Sequence, residues 1–160
     1  MKEIRINDNE AERLTFMLKH IIEDVEGTLN YGDKGEINIK GSGNYPFVLS
    51  YYYDINKKSF NFRETKYNYS LIRININKGF HKNADGEKVE GNRINIFSEE
   101  EYYAKADGTT HMRAYPLPYK SIQSVDDFIV LLHELLSYTN TNSTDKVKIN
   151  TQITLDDVYL

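Results

Sequence analysis

A chain of 160 residues with a formal net charge of −4 and no cysteine is long enough to bury a core of its own, about 70% of the surface its unfolded form exposes. The missing cysteines exclude thiolate nucleophiles, cysteine zinc sites and disulfide frameworks, and they suit a reducing compartment. The mild negative charge excludes a general nucleic-acid coat, which is basic, and is too small to mark a mimic of DNA.

The opening segment "MKEIRINDNEAERL" has no apolar signal core, and no run approaches the roughly eighteen apolar residues of a membrane span. The expectation is a cytoplasmic protein without a membrane. In "NDNEAERLTFMLKHIIEDVEG", Ala11, Leu14, Leu18, Ile21 and Val25 recur at steps of three and four, the stripe of an amphipathic helix. Asp8 or Asn9 caps its start and Gly27 stops it. The spacing predicts about 17 residues and a length of roughly 25 Å.

From Gly35 to about Phe97 the period falls to two. "GEINIKG", "FVLSYYYD", "KSFNFRET", "SLIRININ" and "NRINIF" are short, β-branched or aromatic, and punctuated by Gly, Asn, Asp or Lys. Short connections predict an antiparallel meander. "AKADGTTHMRAYPLPYK" adds an edge strand, since Pro116 and Pro118 bar its end from a central ladder. A second helix follows, with Ser124 and Asp127 as a capping box and Phe128, Leu131, Leu132, Leu135 and Leu136 as its apolar face. A polar loop at about 139–146 precedes a tail with one more strand around Val147 to Ile149.

The reading is therefore one α+β domain over residues 1–160, a mostly antiparallel sheet of five or six strands with an N-terminal and a C-terminal helix on one face. Ile37-Asn38-Ile39, Phe60-Asn61-Phe62, Ile74-Asn75-Ile76 and Ile94-Asn95-Ile96 alternate, so the apolar set meets the helices and the asparagines face away. Lys40, Arg63, Arg73 and Arg93 share that outer face. A solvated face is the usual outcome for an antiparallel sheet; the sharper reading is a recognition platform of amides and guanidinium forks. No aromatic residue interleaves to stack bases, which favours a protein partner over nucleic acid.

"GFHKNADGEKVEGNRINIF", residues 79–97, combines His81, Asn83 and Asp85 with Gly79, Gly86 and Gly91, which supply the positive φ of a tight connection around the turn pair Asp85-Gly86. A metal would need His81, Asp85 and His111 to converge, which requires the edge segment to fold back beside the hairpin. General acid–base chemistry on a phosphodiester would use His81 with Arg93. Neither phosphate-loop glycine pattern is present, nor a nucleophile elbow. His20 and His133 lie off the helix stripes and are expected at the surface. "SEEEYY" and "LDDVYL", together with Asp107, Asp126 and Asp127, are solvated acids or an acidic patch that meets a basic channel.

The stretch from His81 to Phe97, followed by Ala114-Tyr-Pro116-Leu117, resembles an uncharacterised family of small proteins from prophages and mobile elements of Gram-positive bacteria, marked by a His-x-Asn-x-Asp-Gly-Glu hairpin. In that family a proline follows the asparagine, and a His-x-His pair stands where this chain has Arg93 and Asn95. The resemblance implies a small product of a mobile element that faces host nucleases, as anti-CRISPR and anti-restriction proteins do. The function expected is stoichiometric blockade of a defence nuclease, a Cas9-type effector or its guide-RNA complex, with no catalytic set, no cofactor and no metal. The expected contact residues are Asn38, Lys40, Asn61, Arg63, Arg73, Asn75, His81, Asn83, Asp85, Arg93, Asn95, Glu99, Glu100 and Glu101. The alternatives are a nucleic-acid-cleaving enzyme or toxin centred on His81 and Arg93, and a nucleic-acid-binding accessory protein using Arg63, Arg73 and Arg93.

Overall fold

In the computed structural model of the chain, residues 2–152 are described. They form, in order, α1 (Asp8–Phe16), β1 (Lys19–Ile21), β2 (Val25–Leu29), β3 (Asp33–Gly41), a 3-10 turn at Ser42–Asn44, β4 (Pro46–Tyr53), β5 (Lys58–Glu64), β6 (Tyr69–Ile76), β7 (Phe80–Lys82), β8 (Lys88–Glu90), β9 (Arg93–Phe97), α2 (Glu99–Lys105), β10 (Met112–Pro116), α3 (Phe128–Tyr138), β11 (Thr141–Asn142) and β12 (Val147–Thr151). The fold is α+β with a mostly antiparallel sheet. Its order is β10-β9-β6-β5-β4-β3-β1-β11, eight strands in all. The six strands from β3 to β10 in this order are those the period-two segments predict, and β1 and β11 widen the sheet beyond the five or six expected. β12 pairs in parallel with β2 as a separate ribbon, so the tail strand forms away from the main ladder.

The first helix is half the predicted length. Asn7, rather than Asp8 or Asn9, caps it by accepting from the Glu10 amide at 2.8 Å. It stops at Phe16, and residues 19–21 join the sheet antiparallel to β3. The reason is Lys19. Its position is 1% exposed, and its ammonium donates to the carbonyls of Thr15 at 2.6 Å, Met17 at 2.9 Å and Thr139 at 2.8 Å. Those acceptors are the carbonyls left over where α1 and α3 end, so one cation closes both helix termini where the dipoles are negative. A continued helix would turn this side chain away from α3. Leu18, assigned to the apolar stripe, is exposed instead.

The core lies between the sheet and the helices. Ile37, Ile39, Phe47, Leu49, Phe60, Phe62, Ile72, Ile74 and Ile94 project toward Ala11 and Leu14 of α1 and Leu131, Leu132, Leu135 and Leu136 of α3. Phe128 opens α3 by stacking on Phe60, with ring centroids 4.6 Å apart, and packs against Tyr53 at 5.0 Å. The N-cap of α3 is Asp127, which accepts from the Val130 amide at 3.1 Å, so the predicted Ser124 capping box does not form. Buried Glu64 accepts from the Tyr45 hydroxyl and from the amides of Tyr67 and Tyr69, tying the β5–β6 turn to the rim of the core. Among the described residues, no helix is long and apolar enough to cross a membrane.

Candidate functional site

Period-two alternation sends every second residue of the meander to the face opposite the helices. The register sets these residues in rows. Glu36 pairs with Ser50, Ser50 with Asn61, Asn61 with Arg73, Arg73 with Asn95 and Asn95 with Ala114, one unbroken line across six strands. A second row runs through Ser59, Asn75 and Arg93. The asparagines and arginines expected on one platform are therefore neighbours. Asn38 and Arg73 are exposed, while Lys40, Asn61, Arg63 and Asn75 are half-buried. Arg63 donates to Ser50 Oγ at 2.8 Å and lies 3.9 Å from Glu36, which holds its fork flat on the sheet.

The platform is not open throughout. Arg93 and Asn95 are buried, contrary to the expectation that they face solvent. The cause is the 79–92 loop. Strand β6 pairs directly with β9, and residues 80–90 form an independent hairpin of β7 and β8 that lies over that end of the outer face. Asn83, 1% exposed, fastens it. Its side-chain Nδ2 donates to the Ala114 carbonyl at 3.0 Å and its Oδ1 accepts from the Ala114 amide at 2.8 Å, so an amide side chain pairs with the free edge of β10 as a strand would. Gly86 and Gly91 take the expected left-handed φ of +94° and +78°. Gly79 does not; its carbonyl accepts from the Gly91 amide at 2.8 Å, closing the base of the hairpin.

Arg113, a residue the alternation alone does not single out, completes the clasp. It bonds Glu101 at 3.0 Å and Asp85 at 2.9 Å, with Glu87 at 3.5 Å. Glu101, 3% exposed, also accepts from the Ala84 amide at 2.8 Å. The Glu87 amide and the Arg113 guanidinium hold the Asp85 carboxyl below its ordinary range. Residues 98–101 are the start of α2, capped by Ser98, and Glu99 and Asp8 exchange backbone-to-side-chain bonds that join the starts of α2 and α1. Glu100 is exposed. The acids expected to form one patch have separate local tasks: Asp107 accepts from Thr109 and Thr110, and Asp127 caps α3. "LDDVYL" lies outside the described residues. His20 and His133 are exposed, as expected.

Under the hairpin lies a recess of about 300 Å³ lined by Arg73, His81, Asn95, Thr109, Thr110, His111 and Met112. The edge segment does fold back beside the hairpin, bringing His81 and His111 together, but Asp85 turns away to Arg113. Among the described residues, no group of three histidine or acidic side chains is placed to hold a metal. His111 Nδ1 lies 2.9 Å from the Thr109 carbonyl, which fixes its tautomer and leaves Nε2 without a partner. His81 Nδ1 is 3.5 Å from Asn95 Nδ2, and its Nε2 has no partner either. Burial, then Lys105, lowers the His81 pKa; Glu101 opposes this, Arg93 adds to it, and a weak contact of the ring with the Met112 backbone raises it. Arg93 itself is committed to Asn77 at 2.8 Å and the Gly91 carbonyl at 2.9 Å.

The two blocks of the resemblance, 81–97 and 114–117, are adjacent in space: Asn83 meets Ala114, and the Leu117 amide donates to the Asn92 carbonyl at 3.1 Å. The signal that could have exposed Arg113 was a lone arginine in an edge strand, with Asp85, Glu87 and Glu101 upstream. No curated protein and no solved structure matches the chain. A family model does, over residues 6–141, which takes in the sheet, the hairpin clasp and the recess together. The chain belongs to that family, DUF6978, a family of unknown function.

Proposed function

We propose that this protein is a cytoplasmic binding protein that blocks a bacterial defence nuclease, a Cas9-type effector or its guide-RNA complex, by occupying its surface one-to-one. The observation that supports a binding role is the in-register row from Glu36 to Arg73, in which amides and guanidinium groups stand on a rigid ladder. Polar groups held in fixed positions recognise a partner with little ordering cost, and they select it more than they tighten it. Asn38, Lys40, Asn61, Arg63, Arg73 and Asn75, with the exposed tip at Asp85, form the contact surface; Asn83, Arg93, Asn95 and Glu101 serve it from beneath.

The test is to titrate the purified protein into a nuclease reaction. Cleavage should fall linearly and stop near equimolar protein, and Lys40→Glu with Arg63→Glu should weaken the block at least tenfold while circular dichroism shows the fold retained. Undiminished cleavage at excess protein refutes the reading. Phosphodiester hydrolysis by the protein alone, abolished in His81→Ala, would replace it with an enzymatic one running through His81, His111 and Arg73. Retention on nucleic acid that falls steeply with salt would point to the accessory role.

A further inference from the structure

The recess beneath the hairpin is not required by the blockade reading, and its chemistry points elsewhere. Asn95 is 6% exposed, and its Oδ1 has no hydrogen-bond partner. The Nε2 atoms of His81 and His111 are likewise unpaired in the same recess. Buried polar atoms are rarely left this way, because each costs on the order of 1–3 kcal/mol. Three such atoms among the residues of one recess single it out as a candidate site.

Three unpaired atoms with lone pairs would also suit a cation, so the sign of the local field decides. Arg73 opens onto the recess with a single weak bond, 3.5 Å to Ser70 Oγ. Lys105 of α2 and Arg93 of β9 both act on His81 as positive charges, and the one opposing carboxylate, Glu101, is neutralised by Arg113. Asp107, next to the lining threonines, spends its oxygens on the Thr109 and Thr110 amides and the Thr110 hydroxyl. Arg73 is the guanidinium in the lining, nearly free of protein partners, and it selects an anion.

We propose that this recess binds a phosphomonoester, with Arg73, His81, His111 and Asn95 as its donors. Donors converging from β6, β7, β9 and the turn before β10 surround a tetrahedral oxyanion, whereas a planar carboxylate would leave some of them unmet. About 300 Å³ is at the lower end of small-molecule sites and exceeds a bare phosphate, leaving room for a group of roughly nucleoside size. Binding brings protons with it, since His111, whose Nδ1–H goes to the Thr109 carbonyl, donates from Nε2 only as an imidazolium. Protonated at Nδ1, His81 donates across the present 3.5 Å gap to Asn95 Oδ1 once the amide makes a half turn, and Asn95 Nδ2 then faces the anion. Burial lowers the His81 pKa in the free protein and the anion raises it, so affinity falls as pH rises through the pKa of the bound state. The groups facing His81 are Arg73, Lys105, Arg93, Glu101 and His111; its own hairpin carries Lys82 and Lys88 together with Asp85, Glu87 and Glu90, which pair with Arg113 and Lys88.

The experiment follows the four imidazole ring signals by NMR while inorganic phosphate, a nucleoside 5′-monophosphate or the matching nucleoside is added at pH 6, with no nuclease present. The signals of His81 and His111 should move together on addition of the monophosphate, those of His20 and His133 should not, and the nucleoside should have no effect. A response to inorganic phosphate as well assigns recognition to the phosphate alone; a response only to the nucleotide adds the nucleoside as a contact. Arg73→Gln, an exposed change that leaves the core intact, should weaken binding at least tenfold, as should moving to pH 8. The proposal is overturned by still His81 and His111 signals at tens of millimolar nucleotide, by equal movement of all four histidines, by equal binding of the nucleoside, or by an unchanged affinity in Arg73→Gln. His111→Asn, which keeps a polar side chain there, serves as a second variant with the same expectation.

Discussion

Replacing Lys19 by methionine tests whether one buried cation ties α1 and α3 to the sheet. Methionine keeps the apolar stem and approximate length, so the loss is confined to the ammonium. Three carbonyls, of Thr15, Met17 and Thr139, lose their donor. At about 1–1.5 kcal/mol each this totals about 3–4.5 kcal/mol, and the contact of the ammonium with the Phe47 ring at 5.0 Å adds a smaller amount. At pH 9, above the lowered Lys19 pKa, the cost of holding a charge out of water is absent from the wild type and the neutral amine still donates two of these bonds, leaving a loss of about 2–3 kcal/mol. For a chain of this size that is a melting-temperature fall of about 5–10 °C. Thermal unfolding followed by circular dichroism at pH 9 reads it directly. A variant that melts at or above the wild-type temperature would refute the reasoning, because it would mean that the three carbonyls find other partners and the amino group is a net burden.

Burial brings the Lys19 pKa down to about 7, while the unfolded chain keeps it near 10.4. Between those values the unfolded state binds more protons, so wild-type stability should gain with rising pH from 7 toward 10 relative to Lys19→Met; parallel denaturant-midpoint profiles for the two proteins would contradict this. Arg113→Gln unclasps the hairpin; with its pairs partly exposed, only the one to buried Glu101 carries weight, so about 1–2 kcal/mol is expected. Hydrogen exchange should quicken at the Ala84 and Gly91 amides and stay slow in β4 and β5; uniform quickening would show that the hairpin is not a separate unit. Asn83→Ala removes both bonds to Ala114 and should cost about 2 kcal/mol, with the same local exchange signature; unchanged exchange at Ala114 would count against the edge-pairing role. Gly41→Ala places a Cβ 2.4 Å from Met17 Sδ and 2.9 Å from Phe47 Cε2, an overpacking expected to cost about 1–3 kcal/mol in urea unfolding, and a neutral result would show that Met17 yields freely.

The meander was legible in the sequence because alternation is a local property. Ile37-Asn38-Ile39 and its three counterparts state which side chains go in and which go out, and short polar connections leave little choice but antiparallel neighbours. The apolar face of α3 was legible for the same reason, at its own period. The first helix misled because Leu14, Leu18, Ile21 and Val25 satisfy a helical spacing while Lys19 and Ile21 satisfy a strand; only the presence of the Thr139 carbonyl, 120 residues away, makes it favourable to bury Lys19. The outer face was correctly composed but wrongly taken as open, since whether Arg93 and Asn95 meet water depends on where the hairpin lies, and that is set by Asn83 on Ala114 and Arg113 on Asp85 and Glu101. Local sequence thus determined the elements and the two faces of the sheet. The tertiary structure decided which polar residues became surface, which became fastenings and which line the recess, because those fates rest on pairings between distant segments that no periodicity encodes.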